Sequence, residues 1–308
     1  MTSFRLRNSE WVLIGFFAYI AALIPFFRDR PRLGFQPLVI LLLVSALLAT
    51  LAWLESGRYA TIISLVRDWV PMALTLGAFR EMELFVPMHY NAHYENAWMA
   101  WDQVVLQQWG LKRVIESLGP VIPTYLELCY LLVYGVGTFC VIILWIQKRR
   151  CAAERVYQVD RFYVVLLVGM LLAYALFPYF PTRPPRIAFP GMDTPATHDV
   201  FRRLNLFLLR KATIHSGVFP SAHVSSAFAA SWAMFLALPS KKRYGWGLLF
   251  YAMSVSLATV YGRYHYAADA LAGFLVSLVA GSVALALLQT RSSAKHRHSA
   301  GTRTHLVA

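Results

Sequence analysis

Apolar residues in this chain come in blocks rather than singly. Runs of about 17 to 25 residues recur, the length a helix needs to cross a hydrocarbon core of about 30 Å. Eight such runs can be placed, at 11–27, 36–54, 60–79, 121–146, 162–180, 220–238, 244–262 and 268–289, and each predicts a spanning helix. Most of the connections between them are short. Two are not: residues 84–119 are too polar to span, and residues 181–218 form one long loop. Trp98, Trp101 and Trp109 in the first of these suit a membrane interface, so an amphipathic helix lying on the surface is expected there. Its plain reading is a packing piece; its sharper one is that it shapes an acceptor site, with Asp102 as the polar contributor.

Composition agrees with the blocks. Of 308 residues, 58% are hydrophobic and only 14% are charged, where a soluble domain carries about a quarter charged. The expected class is an all-α, polytopic integral membrane protein. The first run has no small-residue cleavage site after it, only FFRDRPR, which reads as a retained anchor rather than a signal peptide.

An even number of spans puts both termini on one side. The short connections on that side are basic, KRRCAAER at 148–155 and KKR at 241–243, and the tail RSSAKHRHSAGTR adds more positive charge. By the positive-inside rule that side is cytoplasmic, although Arg28, Arg30 and Arg32 fall on the other. A bacterial inner membrane with a periplasmic opposite face is the expected setting. The net charge of +14 is scattered over many loops, so orientation and anionic headgroups account for it better than nucleic acid does. Cys129 and Cys140 share a predicted helix about 16 Å apart by helical rise, too far to bridge, and Cys151 falls on the cytoplasmic side. Arg67 and Asp68 lie inside the third run and Glu127 inside the fourth; charges at that depth are expected to pair with one another and fix helix packing, with substrate access as the alternative. In the sixth run Ala222, Ser226 and Ala230 form a small-residue stripe suited to close helix contact.

With alternating spans, three polar stretches converge on the non-cytoplasmic surface: FPYFPTRPPR at 177–186, FPSAH at 219–223 and GRYHYAADALAG at 262–273. His265 and Asp269 are four apart and share a helix face. A carboxylate so placed fixes one imidazole tautomer and leaves the other ring nitrogen as nucleophile or base. His223 supplies a second imidazole to protonate a leaving group. Arg183, Arg186 and Arg263 offer guanidinium groups matched to phosphate oxygens, and the helix start at Ser221 to His223 offers backbone N–H donors. A metal centre competes for the same histidines, but so many arginines would repel a cation. His89 and His93 have the spacing of ligands on a helix, with nothing nearby to complete a site.

FPSAH and, some forty residues later, HYAADALAG resemble the second and third signature motifs of the type 2 phosphatidic acid phosphatase superfamily, six-helix membrane enzymes that cleave or transfer phosphate esters, typically without metal. The resemblance implies that His265 is the nucleophile, forming a phosphohistidine, that Asp269 orients it, that His223 is the general acid, and that Ser221 binds phosphate. It implies a six-helix core with about two extra N-terminal helices, divided as 1–58 N-terminal transmembrane helices, 59–290 catalytic membrane domain and 291–308 a basic, disordered tail. Two positions depart from the family pattern. Ala258 and Thr259 stand where a Ser-Arg pair is usual, with Arg263 much closer to the histidine, and Leu176 stands where a lysine is usual. The segment FPTRPPR is instead similar to the Pro-Thr-x-Pro-Pro stretch of the aureobasidin-sensitive inositol phosphorylceramide synthase branch.

That likeness implies a metal-independent, cofactor-free phosphotransferase of sphingolipid type, moving a phosphorylated headgroup from a phospholipid to an acceptor alcohol such as ceramide or diacylglycerol. Arg186 is then the first candidate for phosphate binding, with Arg183 and Arg263 behind it. Hydrolysis of phosphatidic acid or an isoprenyl phosphate by the same histidines remains the alternative. A transporter or scaffold is a further one, although no internal repeat is visible.

Overall fold

The computed structural model describes the backbone of residues 5–304, apart from 91, 149, 150, 213, 216 and 218, and side chains as far as residue 289. Among these residues there are helices and turns and no strand. In chain order the helices are α1 (Asn8–Ala22), α2 (Gln36–Glu55), α3 (Ala60–Glu81), α4 (Ala92–Gln103), α5 (Leu111–Ser117), α6 (Val121–Leu132), α7 (Val136–Lys148), α8 (Ala152–Leu176), α9 (Pro185–Ala188), α10 (Val200–Ala212), α11 (Ala222–Ala237), α12 (Arg243–Tyr261) and α13 (Ala267–Thr304). A single 3-10 turn at Val133–Gly135 separates α6 from α7, and a π-helical turn at Val104–Gln108 ends α4.

Among the described residues six segments are long and apolar enough to cross a membrane: Asn8–Phe26, Gln36–Glu55, Ala60–Phe85, Val121–Lys148, Ala152–Tyr179 and Ala267–Gln289. The apolar α11, of 16 residues, and α12, of 19, occupy the remaining two predicted runs. The chain is an all-α polytopic membrane protein. Leucines on the outer faces of α2 (Leu38, Leu42, Leu43, Leu47) and α13 (Leu271, Leu275, Leu278) stay exposed, as residues facing lipid rather than protein should. The backbone of α13 continues as helix to Thr304, into the stretch expected to be a tail; residues 305–308 lie outside the described residues.

Helix α8 starts ten residues earlier than its apolar run. The reason is that polar side chains beyond its exposed first turn are held by other helices. Asp160 accepts hydrogen bonds from the Ser9 N–H (2.8 Å) and hydroxyl (2.6 Å), and Arg155 Nε donates to Asp68 (3.1 Å). The charges inside the third run are paired, but not with each other or with Glu127 as expected: their partners come from outside that run. Arg67 pairs with Glu10 and Glu55, while Asp68 takes Arg7 at 2.6 Å as well as Arg155. One buried ionic cluster thus ties α1, α2, α3 and α8 together at the starting end of α8. Glu127 belongs elsewhere. It accepts Arg202 Nη1 (2.7 Å) and Asn205 Nδ2 (2.9 Å), docking α10, a helix inside the long loop, onto α6.

At the centre lies α11, packed on α8, α12 and α13 and buried along almost its whole length. Small residues allow the approach. A Cβ on Gly169 of α8 would stand 2.5 Å from the Ala229 Cβ, and Ser225 Oγ donates to the Gly169 carbonyl at 2.8 Å. The face pressed on α8 is therefore Ser225 and Ala229, beside the expected stripe of Ala222, Ser226 and Ala230, which is buried too. On α13, a Cβ at Gly273 would come within 2.4 Å of the Ser221 carbonyl oxygen. That contact sets two polar stretches edge to edge at the top of the core.

Candidate active site

The C-terminal end of α8, the start of α11 and the turn between α12 and α13 meet at one end of the bundle. Each histidine is placed by local backbone chemistry. Ser221 caps α11: its side chain accepts the Val224 N–H at 3.4 Å, and its own N–H donates to the Asp269 carbonyl at 2.9 Å. This puts His223 in the first turn of α11. Asp269, in the first turn of α13, takes the Tyr266 N–H on Oδ2 at 3.0 Å. The N–H groups of Tyr264 and His265 both reach the Thr259 carbonyl at 3.0 Å, folding the turn back beneath the imidazole.

The three expected catalytic groups come together. His265 Nδ1 lies 3.3 Å from Asp269 Oδ2, and His265 Nε2 lies 3.3 Å from His223 Nδ1. Asp269 is fully buried. A proton held on Nδ1 by that carboxylate leaves the Nε2 lone pair pointing at the second imidazole. The His223 ring sits between Tyr130, stacked at 5.2 Å, and Tyr134, edge-on at 5.2 Å. Both tyrosines come from α6 and the turn after it, outside the three stretches that the sequence singled out.

The three arginines fare differently. Arg183 is gripped by Glu95 of α4, through its backbone N–H (2.8 Å), Nε (3.1 Å) and Nη2 (2.8 Å), and it lies over the Tyr90 ring. The Glu95 carboxylate holds this guanidinium above its ordinary pKa. Arg263 is buried, with Nη1 on Asp102 and Nη2 3.1 Å from the Met99 sulfur. Burial pushes the Asp102 carboxyl up, against the downward pull of Arg263. Arg186, on the single turn of α9, has no carboxylate within ion-pair distance among the described residues. It is half-buried, its guanidinium is 6.0 Å from the Tyr264 ring centre, and its charge reaches His223. Burial lowers its pKa, with Tyr130, Tyr134 and Tyr264 opposing. Ser221 is fully buried and occupied as a cap.

Helix α4 is the element whose role the sequence left most open. It packs on α9 and on the start of α13. Glu95 and Asp102 reach the two arginines, and Trp98 stacks on Phe219 at 4.5 Å with Tyr266 at 5.8 Å. Glu95, Trp98 and Asp102 repeat at three- and four-residue spacing, one face of a helix, and that spacing was the available signal. His89 and His93 gain no completing ligands: among the described residues no three His, Cys, Asp or Glu side chains gather as a metal-holding group.

Residues 97–283, from the middle of α4 into α13, match the PAP2 superfamily. No curated protein and no solved structure gives a significant match.

Proposed function

The chain belongs to the PAP2 superfamily, and on that premise we propose that it is a membrane lipid phosphotransferase, like inositol phosphorylceramide synthase in reaction type, which moves a phosphorylated headgroup from a phospholipid to an acceptor alcohol. Superfamily membership supports lipid phosphatase or phosphotransferase chemistry in general. The observation that carries the narrower reading is the count of uncommitted charge. Arg183 is matched by Glu95 and Arg263 by Asp102, which leaves Arg186 as the one guanidinium at the site without a carboxylate partner among the described residues. A phosphodiester bears one negative charge, whereas a phosphomonoester bears about −1.5 to −2 at neutral pH. One permanently charged group without a carboxylate partner suits the diester, with the titratable His223 carrying only the reaction's proton, and a diester donor is what headgroup transfer requires.

In the proposed reaction the phosphoryl group enters between the two imidazoles, held by Arg186. His265 Nε2 forms a bond to phosphorus as the phosphorus–oxygen bond to the diacylglycerol breaks. Protonated His223 gives its proton to that departing oxygen and becomes neutral. The headgroup phosphate now rides on His265, whose charge Asp269 offsets. The acceptor hydroxyl then surrenders its proton to His223 as its oxygen attacks phosphorus, and the nitrogen–phosphorus bond breaks. Both imidazoles return to their starting states. Positioning and charge placement supply most of the rate, as in phosphoryl transfer generally. The basic stretches at 148–155 and 241–243 support an orientation with this site on the non-cytoplasmic, periplasmic face of an inner membrane.

The test is a paired assay on purified protein in lipid. A phospholipid labelled in its headgroup is offered with and without ceramide or diacylglycerol. Label should arrive on the acceptor, and His265→Ala should abolish the transfer. Release of label into water regardless of acceptor identifies a phosphatase instead.

A further inference from the structure

We propose that Asp102, on the surface helix α4, is a positioning residue for the nucleophilic histidine, holding both flanks of His265 with one carboxylate. The inference rests on the phosphotransfer reading for its kinetic consequence. Its geometry stands apart from it. Asp102 Oδ2 takes Arg263 Nη1, two residues before His265, and Oδ1 takes the Ala267 N–H at 2.7 Å, two residues after it. From beneath, the Thr259 carbonyl takes the His265 N–H. The imidazole is therefore clamped between α12 and α4 at its backbone, while Asp269 fixes its ring.

Arg263 explains why the clamp has to be made by a side chain. It has φ +61°, the left-handed region that disfavours any residue but glycine. Such a conformation is strained and persists only where surrounding contacts over-determine it. Here those contacts are Asp102, Met99 and the Arg186 N–H, which donates to the Arg263 carbonyl at 3.3 Å. Glycine would suit the backbone but could not reach α4. The same helix touches the other catalytic stretch, since Trp98 lies flat on Phe219, four residues before His223. Seating of α4 and alignment of the two imidazoles are thus one event.

The experiment compares wild type, Asp102→Asn, Asp102→Ala, Arg263→Ala and the Asp102→Ala/Arg263→Ala pair in full-length protein in lipid. Asp102→Asn keeps the shape and one acceptor, so it guards against simple misfolding. Its kcat should fall about 10- to 100-fold, as expected for slight misplacement of a reacting group, with KM for the phospholipid within twofold. The double variant should lose no more than the worse single one. A substrate-free readout runs in parallel: carbethoxylation of His265 by diethyl pyrocarbonate, mapped by peptide mass spectrometry, should be several-fold faster in Asp102→Asn. Equal carbethoxylation with unchanged kcat overturns the inference, as does a rise in KM with kcat intact. A wild type that turns over no lipid, while Asp102→Asn still exposes His265, sinks the functional reading alone.

Discussion

Arg186 has no carboxylate partner among the described residues, and its proposed hold on phosphate depends on that. Removing it should cost charge-assisted bonds worth about 1.5–3 kcal/mol, which is about 10- to 150-fold in kcat/KM at roughly 1.4 kcal/mol per decade. Arg186→Lys should recover part of that loss, keeping the charge without the fork. Arg183→Ala should behave differently. It leaves the buried Glu95 unmatched, so the thermal midpoint should fall while KM for the donor changes little. Assays of the three variants side by side read the difference, and a larger KM effect at Arg183 than at Arg186 would reverse the assignment. At this scale the sequence was informative for groups whose chemistry and spacing speak together: His223, His265 and Asp269. The family resemblance put Arg186 ahead of Arg183 and Arg263, but the sequence could not show that the latter two are matched, because Glu95 and Asp102 lie 88 and 161 residues away from them in the chain. Nor did Tyr130 and Tyr134 announce themselves, being aromatic residues in an apolar run like many others here.

Among elements, the joint between α11 and α13 carries the most consequence per atom. Gly273 has no side chain because the Ser221 carbonyl occupies the place where a Cβ would be. Gly273→Ala must push the two helix starts apart, and the Ser221 N–H to Asp269 carbonyl bond, at 2.9 Å, spans the same seam. Separation by even about 1 Å at a catalytic pair can cost roughly 100-fold in rate. Normal expression with turnover reduced by that order is the expected result; an active Gly273→Ala enzyme would mean the seam yields elsewhere. Helix positions were largely readable from the apolar runs, since most of them reach the length that a hydrocarbon slab requires. Where reading failed, as at the start of α8, the cause was polar residues satisfied by other helices: Arg155 and Asp160 look like a loop until Asp68, Ser9 and Asn8 are brought to them.

Across the whole molecule, polar chemistry collects at two ends separated by the length of α8, about 37 Å at 1.5 Å per residue. One end holds the matched cluster of Arg7, Glu10, Glu55, Arg67, Asp68 and Arg155, which binds the two N-terminal helices to the rest. The other holds the histidines. Between them runs α11, and its 16 residues have a consequence of their own. At helical rise it is about 24 Å long, some 6 Å short of an average hydrocarbon slab. Because α8, α12 and α13 enclose it, lipid meets those longer neighbours and not α11 itself, and the shortfall is taken up inside the protein: His223, in the first turn of α11, is set lower than a full-length span would place it. A lipid phosphate should therefore sink toward the imidazoles, so that no molecule has to be hauled out into water to react. Reconstitution in membranes of increasing acyl length gauges that reach: turnover should be greatest in thin bilayers and decline as the slab thickens, whereas a flat profile would mean that the lipid climbs to the enzyme instead.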